Sequence, residues 1–450
     1  MIRRLRGPAR SRTGARTVAV FGLATAAVLL AAAGCTPAPK KQTVATPGVE
    51  ASGAIEFWNP FTDREADVVQ QVVNDFQAAH PKIQVTVKSG QDDDKMTQAI
   101  GAGQGPDVGL SYSTDIVGKF CSSGAWIDLG DYIKRDKVDM GKLPGPVKTY
   151  TEYQGKRCSM PVLADAYGVY YNKQMFADAG IANPPKTLDE LAEDAKKLTK
   201  KNPDGSIKVA GFLPEWGFYE VSPAHLAPAV GATWLTKDGK SNIGSDPAWQ
   251  DLLKWQKSLV DFYGYDKLEA FRSTLGDEFS ADNAFQKGQV AINVDAEFRI
   301  AFIKDQAKDL QFGVAPLPVK DAGNYGLGYI TGNVIGVSRT AKNPEAAWEL
   351  IRYLTTDTKA IVKLASGLKN VPTTTDALKS PDLQLDPEFK TFIDIFNNSK
   401  SSTTPPSSTG PAYQEKMADF CNTYQQKGGD LTAGLKDVDS QINQLIQLGG

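Results

Sequence analysis

Histidine and cysteine, which supply most zinc ligands and many nucleophile–base pairs, are scarce in this sequence. The 450 residues include two histidines, His80 and His225, and four cysteines. No Cys/His pair has zinc-site spacing, and neither a Gly-x-Ser-x-Gly motif nor a phosphate-binding loop is present. These absences argue against metal-dependent and simple nucleophilic hydrolases, so we expect no metal and no cofactor. We expect His80 at the surface and His225 packed rather than catalytic.

An excess of positive charge is missing from most of the chain. Of the 50 basic residues, six are arginines in residues 1–34, where no acidic residue occurs. The rest of the chain therefore has 44 basic against 52 acidic side chains, a net charge of −8. Nucleic-acid binding requires a basic surface, and attachment to an anionic membrane by charge alone requires the same. We expect no nucleic-acid partner.

Long apolar runs are absent beyond the N-terminus. The N-terminus itself has the three successive regions of an export signal. Arginines fill the first 16 residues, an apolar stretch runs from Val18 to Ala33, and Ala-Gly precedes Cys35. This order predicts a signal peptide over residues 1–34. Its end resembles a bacterial lipobox, in which the cysteine is lipidated, although Ala32 stands where leucine is usual. The alternative is an uncleaved membrane anchor, since the stretch approaches the ~17–25 residues of a span.

Residues 35–52 have little to bury and contain several prolines and lysines. Such a composition predicts a flexible tether. A lipid on Cys35 and a tether after it imply that the remaining chain lies at the extracellular face of the cell membrane.

Three cysteines remain besides Cys35. Disulfides persist outside the cytoplasm, and Cys121, Cys158 and Cys421 allow one bridge with one thiol left over. Connectivity does not follow from spacing. We favour Cys121–Cys158, and the alternative is three separate buried thiols.

A chain of 450 residues is too long for one ordinary core and predicts two or three domains, and its 41 glycines and 26 prolines are typical of α/β or β-rich chains. Ile55–Trp58 and Ile83–Val87 have the pattern of strands, and Arg64–Ala79 between them has apolar residues at helical spacing. This strand–helix–strand order predicts a parallel sheet. Thr187 to Glu190 forms a capping-box sequence, and a helical apolar stripe closes the chain from Leu431 to Leu445. We expect that stripe to pack on its own domain and the protein to be a monomer.

Several segments together resemble one family, the extracellular solute-binding proteins of the maltodextrin-binding type, which serve bacterial ABC importers. The matching segments are Glu56-Phe57-Trp58-Asn59, Gly103-Gln104-Gly105-Pro106-Asp107, Tyr153-Gln154-Gly155-Lys156, Met160-Pro161, Tyr170-Tyr171-Asn172-Lys173, Phe285 to Ala291, Phe312 to Pro318, Gly328 to Val337, Asn343 to Leu354 and Val371-Pro372-Thr373. The resemblance covers roughly residues 53–448.

The resemblance implies a fold and a function. The fold is α/β, the two-lobed fold of periplasmic binding proteins, with a ligand cleft between lobes joined by a hinge that the chain crosses more than once. Lobe one is expected to comprise residues 53–163 and 327–373, and lobe two residues 164–326 and 374–450. The function is capture of a mono- or oligosaccharide by lobe closure and its delivery to the permease subunits of an ABC importer, without covalent chemistry.

A sugar has hydroxyl groups at its rim and C–H groups on its ring faces, so its site requires aromatic rings and planar polar side chains. The matching segments supply them near strand ends, where open α/β sheets bind ligands. Gly328 and Tyr329 belong to a glycine-spaced turn whose N–H groups can approach a ligand closely. We predict ligand contacts from Trp58, Asn59, Ser113, Thr114, Asp165, Tyr167, Glu215, Trp216, Asp295, Glu297, Gly328 and Tyr329.

The resemblance also assigns particular roles. It implies an acidic ligand contact at Asp165 and an acidic or aromatic one at Glu215 and Trp216. The family commonly has a tryptophan after a glycine where this chain has Asp295-Ala296-Glu297. That departure disfavours stacking of a long maltodextrin and favours a smaller or more hydroxyl-rich ligand.

Structural alternatives exist for these residues and for the function. They are a core position for Trp58, helix caps for Ser113, Thr114 and Asp165, and surface charges for Asp295 and Glu297. A glycosidase would need Asp295 and Glu297, or Asp165 and Glu215, about 5–9 Å apart. A binder of a non-sugar solute, such as a glycerophosphodiester, polyamine or peptide, is the other alternative. A phosphate ligand would need a cation at the cleft, for which Arg299 is the one nearby candidate.

Overall fold

The structure, a computed structural model, describes residues 44–46 and 50–449. The expected signal peptide, Cys35 and the first part of the tether lie outside these residues. Within them, no helix has the length and hydropathy that a membrane span requires.

The described residues form an alternating succession of strands and helices. The strands are β1 (Gly53–Trp58), β2 (Ile83–Lys88), β3 (Val108–Ser111), β4 (Met160–Asn172), β5 (Lys200–Lys201), β6 (Ile207–Phe212), β7 (Val290–Ala296), β8 (Phe312–Pro316), β9 (Ile330–Val337) and β10 (Val371–Pro372). The helices are α1 (Asp63–Ala79), α2 (Asp93–Gly101), α3 (Ile116–Ser122), α4 (Gly130–Arg135), α5 (Gly145–Tyr150), α6 (Lys173–Asp178), α7 (Leu188–Leu198), α8 (Pro223–Val230), α9 (Pro247–Tyr263), α10 (Tyr265–Arg272), α11 (Arg299–Gln306), α12 (Pro344–Thr356), α13 (Thr358–Leu368), α14 (Thr375–Leu378), α15 (Phe389–Asn397), α16 (Ala412–Lys427) and α17 (Leu431–Gly449).

The first strand–helix–strand unit has the predicted form. β1 and β2 pair in parallel, and α1 connects them with a buried stripe of Val69, Val72, Val73 and Phe76. Apolar residues three and four apart share one face of a helix. The stripe therefore packs on the sheet while the polar positions of α1 face water.

The helices α7 and α12 differ in whether the residue before the helix caps it with its side chain. At α7, the Thr187 hydroxyl accepts from the Glu190 N–H, and the Glu190 carboxylate accepts from the Thr187 N–H, which completes the capping box. Asn343 precedes α12 but makes no side-chain cap. Its Nδ2 instead donates to the carbonyl of Ala54 at 2.8 Å, because β1 passes close to this end of α12.

One long strand is shared by two groups of strands. The first half of β4, Met160 to Ala166, pairs with β9 and β10. The second half, Tyr167 to Asn172, pairs with β7 and β8. The full order is β2-β1-β3-β9-β4-β7-β6-β5. The exchange of partners falls between Ala166 and Tyr167, whereas the expected lobe boundary follows Leu163.

The pairing of β4 with β9 contains an irregularity between Pro161 and Ala164. Gly332 lies opposite it with a φ of +156°. A Cβ at Gly332 would lie 2.2 Å from the carbonyl oxygen of Leu163. Glycine is therefore required here so that the two backbones can approach closely.

The C-terminal helix α17 buries Leu431, Leu435, Val438 and Ile442. These side chains join the apolar core that α7, α9 and α16 also form. The predicted stripe thus packs on its own chain. The Ser/Thr/Pro-rich residues 401–411 lie in the connection between α15 and α16.

Part of the expected tether is docked on the first group of strands and helices. The Ala45 N–H donates to Glu345 Oε1 at 2.6 Å, and Arg135 donates to the Ala45 carbonyl at 3.3 Å. Val44 and Ala51 pack against the apolar core around α1, α12 and α13. Backbone hydrogen bonds and apolar contacts of this kind hold Val44, Ala45 and Ala51 against the folded chain, although the sequence predicted a flexible tether over residues 35–52.

A disulfide joins Cys121 in α3 to Cys158 before β4, with the two Cα atoms 5.5 Å apart. This is the pair that the sequence analysis favoured. Cys421 is a buried free thiol in α16. The bridge closes a loop with a sequence separation of 37 residues, and such closure restricts the unfolded chain.

Breaking this bridge should destabilise the protein by about 2–4 kcal/mol. The measurement is urea unfolding of the wild type and of the double variant Cys121→Ala/Cys158→Ala, each with and without dithiothreitol. We expect the reductant to lower the unfolding midpoint of the wild type and to leave the double variant unchanged. Cys421→Ala, which removes a cysteine without opening a loop, should remain sensitive to dithiothreitol. Equal midpoints for the reduced and oxidised wild type would contradict the assignment.

Candidate functional site

Two buried carboxylates and one amide meet where β4 exchanges its partners. Asp165 lies in β4 and Glu297 directly follows β7, and they are 8% and 0% exposed. Asn370 Nδ2 donates to Asp165 Oδ1 at 2.5 Å and to Glu297 Oε1 at 3.2 Å. Glu297 Oε2 accepts from the Ala166 N–H at 2.8 Å. We call these three side chains the carboxylate cluster.

Burial determines the protonation of this cluster. It raises the pKa of Asp165 to about 6, while hydrogen bonds from Glu297 and Asn370 lower it. Burial raises the pKa of Glu297 well above its usual range, and the nearby Asp165 raises it further. Since two adjacent buried carboxylates cannot both carry a charge cheaply, Glu297 holds the proton and Asp165 is the ionised member near pH 7.

The cluster corrects two alternatives from the sequence. Asp165 does not cap a helix, because β4 continues through Tyr171 to Asn172. Glu297 and Asp295 are not surface charges, because both side chains are fully buried.

Asp295 is engaged by protein groups. Its Oδ2 accepts from Arg299 Nε at 2.6 Å and from Asn293 Nδ2 at 3.2 Å, and its Oδ1 accepts from the Ala296 N–H. Arg299, fully buried, also contacts Glu278 at 3.3 Å. The guanidinium that could have favoured an anionic ligand is thus ion-paired with Asp295 and donates to Glu278.

An aromatic stack adjoins the cluster. The rings of Tyr167 and His225 are parallel within 19° with centroids 4.0 Å apart, and Tyr329 lies 4.9 Å from His225. His225 Nδ1 donates to the Glu220 carbonyl at 2.6 Å. Burial lowers the pKa of His225 to about 4, so the imidazole is neutral. His225 is therefore packed, as predicted from the sequence.

The segment after β3 brings further polar groups to the same region. Thr114 Oγ1 lies 3.0 Å from Thr331 Oγ1 of β9. Ser113 Oγ accepts from the Asp115 N–H at 3.2 Å, which is a local turn rather than a helix cap. Burial raises the pKa of Asp115, and Gln414 and His225 lower it. Asp115 thus faces side chains from α16 and α8.

The last residue of β1, Trp58, and the residue that follows it, Asn59, both make hydrogen bonds within the chain. Asn59 is fully buried; its Oδ1 accepts from the Phe61 N–H at 3.2 Å, and its Nδ2 has no partner among the described residues. Trp58 Nε1 donates to Glu56, and Lys88 Nζ lies 5.6 Å from the Trp58 ring centroid. Phe61 contacts the exposed ring of Tyr112, with centroids 5.1 Å apart.

Glu215 and Trp216 have other surroundings. The Trp216 N–H donates to Gln425 Oε1 of α16 at 3.3 Å, and the ring is part of the core around α9. Burial and the neighbouring Glu269 raise the pKa of Glu215 to about 8, and Arg272 lowers it. Neither the carboxylate oxygens of Glu215 nor Nε1 of Trp216 have a hydrogen-bond partner among the described residues, and the charged groups that act on Glu215 come from α10 rather than from the carboxylate cluster. Their role as ligand contacts stays a prediction.

The backbone N–H of Gly328 already has a hydrogen-bond partner within the chain. The Gly328 N–H, expected to be available to a ligand, donates to Ser401 Oγ at 3.1 Å. The Tyr329 hydroxyl lies 2.6 Å from Thr404 Oγ1. The connection between α15 and α16 therefore occupies these groups.

Sequence reasoning missed Asn370 as a site residue. It directly precedes Val371-Pro372-Thr373, one of the segments that carried the resemblance, and it follows Lys369, whose φ is +62°. Its position beside the matching segment was the available signal. Asp115 directly follows Ser113 and Thr114 in the sequence, but only those two were predicted as ligand contacts. Among the described residues, no three His, Cys, Asp or Glu side chains are placed to hold a metal ion.

Known proteins resemble this chain over most of its length. A maltotriose-binding protein from Pyrococcus abyssi is 26% identical over 346 residues, covering 76% of this chain and 71% of the relative. A maltooligosaccharide ABC transporter solute-binding lipoprotein from Streptococcus pneumoniae is 26% identical, covering 96% of both chains.

Solved structures share the fold. CpMnBP1 with mannotriose bound superposes with a TM-score of 0.77 at 26% identity, covering 86% of this chain and 99% of that one. The sugar-binding protein MalE from Xanthomonas citri gives a TM-score of 0.71 at 19% identity, covering 88% and 98%, which shows the fold alone.

The sequence profile of one family matches residues 62–361, two thirds of the chain. The two-lobed α/β fold expected from the sequence is the fold of the similar structures. The chain belongs to the bacterial extracellular solute-binding protein family.

Proposed function

We propose that this protein is the extracellular carbohydrate-binding component of an ABC importer. It captures a mono- or oligosaccharide by closure of its two lobes and delivers the sugar to the membrane permease. The observation that carries the proposal is the carboxylate cluster at the point where β4 passes from one group of strands to the other.

The chemistry of the cluster suits a sugar hydroxyl. An ionised carboxylate accepts shorter and stronger hydrogen bonds than a neutral group, and Asp165 is the ionised member of the cluster. The rings of Tyr167, His225 and Tyr329 lie beside it. Arg299 is ion-paired with Asp295 and donates to Glu278, so the site does not favour a phosphate ligand.

The relatives support the same ligand class. One is named for maltotriose and another for maltooligosaccharides, and CpMnBP1 has been solved with mannotriose bound. These proteins are binding proteins. We infer that this chain likewise binds its ligand without altering it.

Closure of the two lobes around the sugar is part of the proposal, and the position of the site supports it. Groups from the segment after β3, from β4, from the end of β7 and from α16 converge there, so a ligand can contact all of them only when the lobes approach each other. Differential affinity for the closed arrangement then shifts the population toward it.

Anchoring belongs to the same proposal. Lipidation of Cys35 after removal of residues 1–34 would hold the protein at the extracellular face of the membrane, as a monomer close to the permease.

A neutral sugar should stabilise the protein, and the Asp165→Asn variant should bind it about 10–100-fold more weakly. The physical reason is the loss of charge-assisted hydrogen bonds, each worth about 1.5–3 kcal/mol. The measurement is a thermal-shift screen across mono- and oligosaccharides, followed by calorimetric titration of the best ligand.

The control is Asp357→Asn, which changes the same residue type at the start of α13. Asp357 Oδ1 accepts from the Ala360 N–H, a cap that asparagine also makes. We expect this variant to bind like the wild type. Failure of every sugar to stabilise the wild type would refute the proposal.

No turnover is expected when the protein is incubated with mixed oligosaccharides. Of the carboxylates in the pairs that the sequence suggested, Asp295 is ion-paired with Arg299 and Glu215 has Glu269 of α10 as its acidic neighbour. Asp165 and Glu297, which do meet, both accept from one amide nitrogen, so that amide occupies the space where glycoside hydrolysis requires the sugar bond and water. The measurement is an assay for new reducing ends over many hours. Release of reducing ends that disappears in Asp165→Asn would show that the protein is a glycosidase.

A further inference from the structure

We propose that Asn370 and Glu297 are positioning residues, which hold Asp165 as the ionised acceptor for a hydroxyl group of the bound sugar. The inference rests on the proposed function and goes beyond it, because it assigns roles to two residues that need not touch the ligand.

Of the four carboxylate oxygens of Asp165 and Glu297, three accept a hydrogen bond from an N–H group of the protein. Asn370 Nδ2 occupies Asp165 Oδ1 and also reaches Glu297 Oε1. The Ala166 N–H fixes Glu297 Oε2. Among the described residues, no N–H group donates to Asp165 Oδ2. The oxygen Oδ2 is therefore the one that remains for a donor from the ligand.

The proton on Glu297 completes the arrangement. In the proposed arrangement Glu297 Oε1, which shares the Asn370 donor with Asp165 Oδ1, carries the proton and donates it to Oδ1, so that Asp165 keeps its charge although it is buried and Oδ2 stays open. With the amide of Asn370, this gives Asp165 two donors from the protein. Donors to the charged form favour ionisation and offset the cost of burial.

The surrounding groups add no compensating cation. The titratable side chains that act on Asp165 come from α1, the segment after β3, α5, β4, and the loop before α8. They are Glu65, Tyr112, Tyr150, Tyr167 and Glu220. Near pH 7 each of these is either neutral or negative. Asn370 and Glu297 are thus the groups that keep Asp165 ionised.

A purely structural role for Asn370 makes a different prediction. If its amide only joined α13 to β4 and Glu297, substitutions would lower the unfolding temperature without changing how binding depends on pH. The test must therefore follow affinity against pH.

The experiment measures the dissociation constants of maltotriose and mannotriose from pH 4.5 to 8 by calorimetry, using the full mature chain. Since binding requires ionised Asp165, whose pKa in the free protein is about 6, wild-type affinity should fall by up to about tenfold per pH unit below pH 6. Asn370→Asp places a third carboxylate beside Asp165, which raises its pKa, so the loss should begin at least one unit higher.

Two variants of Glu297 separate the effect of its hydrogen-bond donor on affinity from the effect of its side-chain volume. Glu297→Gln keeps a neutral donor and should bind within about tenfold of the wild type at pH 7.5. Glu297→Leu removes the donor and leaves the Ala166 N–H without an acceptor, so it should bind at least tenfold more weakly than Glu297→Gln.

Asn343→Asp is the matched control for Asn370→Asp. It removes the donor to the Ala54 carbonyl and should leave the pH midpoint of binding unchanged. An unshifted midpoint in a folded Asn370→Asp variant, or equal losses in the two Glu297 variants, overturns the positioning roles. If the wild type binds no sugar at any pH, the proposed function fails and the assignment fails with it.

Infrared spectroscopy tests the proton without any ligand and without the Asn370 variant. The wild type at pH 7 should show the C=O band of a protonated carboxylic acid that is absent from Glu297→Gln. A difference spectrum without that band contradicts a protonated Glu297.

Discussion

The structure depends on one strand that serves two groups of strands at once. β4 gives its first half to β9 and β10 and its second half to β7 and β8. At the point of exchange, side chains from both groups meet and are buried. Polar groups buried there must be satisfied by one another or by a ligand. The carboxylate cluster is the local solution, with one proton and one amide shared between two carboxylates.

This constraint also explains how the site brings together two carboxylates that are far apart in the sequence. Asp165 and Glu297 are far apart in the chain and become neighbours only because β4 and β7 pair in antiparallel register, with Tyr167 opposite Ala296. Asn370 arrives from a third segment through β10, which pairs with β4. Three separate segments of the chain therefore contribute one side chain each, and neither of the two strand pairings can be deduced from local patterns.

Local patterns predicted much of the fold. The helical stripe of α1, the parallel pairing of β1 with β2 and the capping box of α7 follow from residues close in sequence, and the structure confirms them. Asn343, an asparagine directly before Pro344 and α12, makes no side-chain cap there, because its amide donates to the Ala54 carbonyl of β1. The backbone at Gly328 was expected to be available, but a segment more than 70 residues later occupies it. Such outcomes depend on long-range packing, which competes with local preference.

The account centres on a sugar held at the crossing of β4 by groups from both lobes. A crystal structure of the protein with its tightest-binding sugar tests this most directly. The account predicts a sugar hydroxyl about 2.5–3.0 Å from Asp165 Oδ2, with Asn370 still bonded to Oδ1 and with contacts from both sides of the cleft. A sugar bound to one lobe alone, away from Asp165, would contradict it.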